Sequence, residues 1–241
     1  CCPPASRGRL QGRLPRSNPS RDRMPYLYLV RHAQPDFAGH YDSVTALGVE
    51  QSAWLGEHFA ARGQRFARVI SGSLDRQTGT LQAILERLPG SPVPITDPRF
   101  NEYDVASVLG EFRHDDERAL RATGDRRRYF PAVRDALLAW SRQDRPFAGG
   151  ESWGQFGERI AAGIESACEN LDGQAQVLIV TSGGVIGRAV ADALEAGPQA
   201  AINLNLQTRN TGITEVVRGR TATRIVAFNA VDLPDRLVNA A

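Results

Sequence analysis

Apolar positions along this chain follow two different periods. Short runs rich in β-branched residues occur at YLYLV (26–30), ARVIS (67–71), VPIT (93–96) and VLIV (177–180), and they predict buried strands. Longer segments with three-to-four spacing predict helices over 44–63, 74–88, 151–171 and, after the turn Thr181-Ser182-Gly183-Gly184, through Leu194. Thr45 is the expected N-cap of the first helix and Gly63 its stop, while Ser73 is the expected N-cap of the second and Pro89-Gly90 its end. Two late strands are expected near 213–217 and 223–228. Residues 105–150 are charged and only weakly periodic, with DDERAL and RDALLAWSRQ the best helical pieces; they read as a cap inserted over the core. Strands alternating with helices predict an α/β domain with helices on both faces of a sheet.

Composition changes this picture at one end only. The 241 residues suit a single domain, expected over 24–241, and no apolar run approaches the roughly 18–20 residues of a membrane span. The formal charge of +2 hides an imbalance, because all 29 basic residues are arginine and six fall in the first 23 positions. The remaining body is slightly acidic, which gives it no overall pull on nucleic acid. Residues 1–23, with no apolar periodicity ahead of the lone Met24, are expected to be a disordered leader; an Arg- and Ser-rich targeting peptide is the alternative. Cys168 is the only cysteine of the body, which fits a reducing, cytoplasmic setting.

The candidate chemistry lies at the strand ends, where open α/β sheets collect ligands. Arg31, His32 and Gln34 follow the first strand and Arg76 follows the second. Arg99, Asn101, Glu102 and Asp104 follow the third, and Thr181-Ser182-Gly183-Gly184 follow the fourth. Two guanidiniums and helix N-termini suit a tetrahedral dianion such as phosphate. A histidine beside it can attack phosphorus, and a carboxylate can protonate the departing oxygen. Glu102 is the first choice for that acid, and Asp104 is the alternative. No metal-ligand pair such as His-x-x-x-His or Cys-x-x-Cys occurs, and a chain without lysine has no P-loop.

These residues sit in a series of ordered motifs that resembles the histidine phosphatase superfamily, the phosphoglycerate mutase-like fold. LYLVRHAQ is similar to the opening Arg-His-Gly signature, with Ala33 in the glycine's place. VTALGVEQS, SGSLDRQTGT, RFNEYD, GGESWGQFGERI, RNTGITEV and FNAV resemble later family segments in the same order, over about residues 26–233. The resemblance implies a three-layer α/β/α sandwich with a mostly parallel central sheet and a small helical cap. It implies that His32 is the nucleophile, that Arg31 and Arg76 clamp the phosphoryl group, and that Glu102 is the proton donor. Gln34 and the Gly183 amide would be lesser phosphate contacts. No metal or cofactor is called for.

One position departs from the pattern. Where the family carries a second catalytic histidine, this chain has Ser182, a weaker donor without charge. His40 and His114 are the alternatives that could reach the pocket; His58 is expected to be exposed on the first helix. The resulting expectation is a phosphomonoester hydrolase acting through phosphohistidine on a small phosphorylated substrate. The alternatives are a phosphate-binding protein with little or no turnover and a phosphoglycerate mutase using the arginines of GDRRRYF (124–130). The late segment AFNAVDLPD reads either as a sheet edge or as a homodimer contact.

Overall fold

A computed structural model describes residues 25–37, 39–219, 223–230 and 233–238. The expected leader, 1–23, lies outside the described residues. Six strands form one sheet: β1 (Tyr26–Arg31), β2 (Arg68–Ser71), β3 (Ile95–Thr96), β4 (Gln176–Thr181), β5 (Ile213–Arg218) and β6 (Thr223–Ala230), in the spatial order β3-β2-β4-β1-β5-β6. The first four in that order run parallel, β5 is antiparallel to β1, and β6 is antiparallel to β5. The fourth strand is thus inserted between the first two, with Arg31 in register with Thr181 and Ser71 with Val180. That insertion brings the ends of β1, β2 and β4 side by side.

The runs of the central strands β1 and β4 are apolar because both faces of the sheet are covered there. In β1 and β4 the period of two sends Leu27, Leu29, Val177 and Ile179 into one core and Tyr28, Val30, Leu178 and Val180 into the other. The second core is closed by α1 (Ala46–Ala61) and α2 (Asp75–Glu86), through Leu55, Phe59, Leu81 and Ile84. The first is closed by α6 (Trp153–Cys168) and α7 (Gly183–Ala193), through Phe156, Ile160, Val185, Ile186 and Val190. This is the three-layer α/β/α sandwich that the sequence predicts. Thr45 caps α1 by accepting from the Gly48 amide, and Ser152 caps α6 in a reciprocal box with Gln155.

Ser73 does not cap α2. Its hydroxyl accepts from the Asn101 side chain instead, and the carboxylate of Asp42, far away in sequence, accepts from the Asp75 and Arg76 amides. The cap is also better ordered than its sequence suggests. It holds α3 (Val105–Arg113), α4 (Glu117–Ala122) and α5 (Arg126–Trp140). Helix α3 and a further helix, α8 (Pro198–Gln207), were not expected from periodicity. On α5, Tyr129, Val133, Ala136, Leu137 and Trp140 form a buried stripe at helical spacing. These residues join the core that α6 and α7 share, and the Trp140 indole donates to Glu151 O at 2.9 Å. Strand β6 is an edge of the sheet and contains the first part of AFNAVDLPD.

Candidate active site

Parallel pairing of β1, β4 and β2 sets their carboxyl ends around one cleft. Arg31, His32, Gln34, Arg76, Glu102 and Gly183 all line it; Ser182, Asp104, His40, His58 and His114 do not. Asp104 caps α3, accepting from the Ala106 and Ser107 amides. His114 ends the same helix in the left-handed region, and His58 is half-buried, stacked on Trp54.

His32 follows the last residue of β1 and is 2 % exposed. Its amide donates to Thr181 O, and its carbonyl accepts from the Asn210 side chain at 3.0 Å. The ring Nδ1 lies 2.8 Å from Ala33 O. A carbonyl only accepts, so Nδ1 carries the hydrogen and Nε2 keeps its lone pair. Burial, followed by the charges of Arg76 and Arg31, holds the imidazole well below its usual pKa. Both effects favour the neutral ring, with its lone pair at Nε2. Ala33 is fully buried, and its amide donates to Thr80 of α2.

The two arginines are held from behind. Arg31 Nη1 donates to Thr208 O, and Arg76 Nη1 donates to Asp42 at 2.7 Å. Arg76 also lies 5.0 Å over the Tyr41 ring. Among the described residues, Arg31 Nε and Arg76 Nε are both buried with no hydrogen-bond partner. Two such donors on residues lining one cleft are what an anion site requires, because a buried N–H without a partner otherwise costs about 1–3 kcal/mol.

Glu102 reaches the cleft from a loop that crosses the ends of β2 and β4. The loop is fixed by three successive carbonyls: Arg99 O and Asn101 O accept from Arg159, while Phe100 O accepts from Gln77 and Thr181. Arg159 is held in turn by Glu151. The carboxylate accepts from the Gly184 amide at 2.9 Å and the Tyr103 amide at 3.3 Å. Desolvation raises its pKa, opposed by the Gly184 bond and Arg76. Gly184 must be glycine: a Cβ there would strike Glu102 Oε1 and lie 2.5 Å from the Tyr103 ring.

Ser182 is the N-terminal boundary residue of α7, 1 % exposed, and its hydroxyl accepts from Gln77 Nε2 at 2.9 Å. Gln34 accepts at its amide oxygen from Thr45, which leaves its NH2 as the group with hydrogens to offer. Sequence reasoning missed Asp42 and Tyr41, which arrive on the β1–α1 loop, and Asn205, whose amide donates to the Tyr103 hydroxyl. Asn210 lies in the RNTGIT segment, which the sequence does single out, but its bond to His32 O was not foreseeable from spacing. The far wall of the cleft comes from the cap and its facing loop: Phe37, Val105, Arg126, Tyr129, Phe130 and Val133.

The described residues contain no group of three or more His, Cys, Asp or Glu placed to hold a metal ion, and no helix long and apolar enough to cross a membrane. Comparison with known proteins agrees with the geometry. The profile of the histidine phosphatase superfamily (branch 1) matches residues 27–231, so the chain belongs to that family and is an enzyme of the histidine phosphatase type. It is 29% identical over 200 residues to a protein of Salmonella choleraesuis named "Probable phosphoglycerate mutase GpmB", covering 80% of this chain and 85% of that one. Its fold is similar to that of Bacillus stearothermophilus YhfR, at TM-score 0.64 and 20% identity over 86% of this chain and 98% of the other. It is also similar to the alpha-ribazole phosphatase of Shigella flexneri, at TM-score 0.61 and 19% identity over 85% and 96%.

Proposed function

We propose that this enzyme hydrolyses phosphomonoesters through a phosphohistidine formed on His32. The observation that carries the proposal is a buried imidazole, pinned at Nδ1, that shares one cleft with two guanidiniums whose Nε hydrogens have no protein partner. Arg31 and Arg76 bind the phosphoryl oxygens and supply the positive charge that the reaction needs. Gln34 and the Gly183 amide add neutral donors. His32 Nε2 attacks phosphorus, the ester oxygen departs, and protonated Glu102 gives that oxygen its hydrogen. Glu102, now a carboxylate, takes a proton from water; the hydroxide attacks phosphorus and His32 leaves. The sum is one ester and one water converted to alcohol and inorganic phosphate.

The alcohol would rest against the cap wall, where Phe37, Tyr129 and Phe130 form a group of packed rings with centroids 5.2 to 6.4 Å apart. That surface favours an apolar or aromatic alcohol. Arg126, which lines the cleft from the cap and suits a second anion, supports the mutase reading, as does the likeness to a relative named a probable phosphoglycerate mutase. A test with 3-phosphoglycerate and a bisphosphoglycerate primer separates the two. The reading of a phosphate-binding protein without turnover rests on Ser182, and the groups that hydrolysis uses line the cleft without it.

The decisive experiment uses a 32P-labelled phosphomonoester and a rapid quench. A protein-bound label that is stable to base and labile to acid is expected in the wild type and absent from His32→Ala. Unchanged turnover in His32→Ala would refute the proposal.

A further inference from the structure

Gln77 has no role in the proposed chemistry, yet it meets three of the segments that build the site. It directly follows Arg76 in the first turn of α2 and is fully buried. Its Nε2 donates to Phe100 O at 3.1 Å, in the loop of Glu102, and to Ser182 Oγ at 2.9 Å, at the end of β4. Its Oε1 accepts from the Leu74 amide at 3.4 Å and packs so closely on Gly72 that a Cβ at position 72 would collide with it. A buried amide has two hydrogens and an acceptor to satisfy, and here all three functions are used. Ser182 is equally enclosed, makes no capping bond to its own helix, and does not line the cleft.

We infer that Gln77 is a positioning residue, which locks the helix start carrying Arg76 to the loop carrying Glu102, and that Ser182 is its hydrogen-bond partner rather than a phosphate contact. The kinetic part of this inference rests on the proposed hydrolase reaction; the Gln77–Ser182 pairing does not. The serine and the glutamine are matched in size. Interiors are close-packed, so a histidine at 182 would compete with the Gln77 amide for the same space. Without the amide, Ser182 and the Leu74 amide lose their buried partner, and the Phe100 carbonyl of the acid loop loses its tie to α2 and keeps only the one from Thr181.

Two measurements test this. The first compares p-nitrophenyl phosphate, whose leaving group needs no proton, with an alkyl phosphate, whose leaving group does. Gln77→Met, of similar volume, is expected to lower kcat on the alkyl ester about 10-fold more than on the aryl ester; Ser182→Ala should show the same bias, only a few-fold. Equal losses on both esters would mean general structural damage and would overturn the positioning role. Weakened inhibition by inorganic phosphate in Ser182→Ala would make the hydroxyl a phosphate contact, which also overturns it. The second is a denaturant-unfolding cycle of Gln77→Ala, Ser182→His and the double variant. Ser182→His alone should lower the unfolding midpoint, and the double variant should lose less than the two singles together; simple additivity would remove the pairing. Because unfolding needs no turnover, this cycle still decides the pairing if His32→Ala shows the hydrolase reading to be wrong.

Discussion

The two ends of the cleft are built on different principles. At the strand end, each polar group is fixed by another: Arg76 by Asp42, the His32 ring by Ala33 O, Glu102 by the Gly184 amide. Across from it, the cap presents aromatic rings held mainly by one another and by Arg121, which donates to Phe37 O and Gly39 O and pairs with Glu117. Hydrogen bonds in a buried site are directional and fail when atoms move by a fraction of an ångström. Ring contacts are soft and tolerate replacement. The strand end therefore suits chemistry that must not vary, and the cap suits recognition that can.

Glu102→Gln should show the largest contrast between the two ends, with a loss of about 10²- to 10⁴-fold on alkyl phosphates. The pH profile makes this prediction sharper. The proposed reaction needs His32 neutral and Glu102 protonated. It should fall as pH drops through the lowered histidine pKa and fall again as pH rises through the raised carboxyl pKa. Glu102→Gln should abolish only the alkaline limb of kcat/KM; an unmoved limb would give the proton to another group. Asp42→Asn should be milder, about 10-fold in kcat/KM by the ordinary worth of a charged hydrogen bond, because Arg76 loses its charged anchor. Its effect should appear on every substrate alike. Smallest is Phe130→Ala on the cap, expected within about 10-fold and confined to esters of large apolar alcohols. A uniform loss in Phe130→Ala, or a substrate-dependent one in Asp42→Asn, would break the division between the two ends.

Much of the strand end was legible in the sequence, for a simple reason. The end of a buried strand is marked by its apolar run, and the next few residues of the chain must lie at the sheet's carboxyl edge. Arg31, His32, Arg76, Glu102 and Gly183 were found that way, and all line the cleft. The cap was harder to read. The arginines of α5 obscured its periodicity, although Tyr129, Val133, Ala136, Leu137 and Trp140 are correctly spaced. Ser73 was a sound N-cap by local rules, but Asp42 supplied a stronger acceptor from another loop.

The sequence by itself determined the sheet strands and the helices that cover them, the two faces of the sheet and the set of groups near the strand ends, because side-chain period and strand length are local properties. Tertiary structure decided which groups touch. Inserting β4 between β1 and β2 joined Arg31 to Thr181 on one side and Ser71 to Val180 on the other. It turned Ser182 toward Gln77 and not into the cleft, and it brought Asp42 and Asn210 behind Arg76 and His32. The partners in those pairings lie far apart along the chain, and no local pattern records them. They follow from the strand order and from the rule that a buried polar group must find a partner.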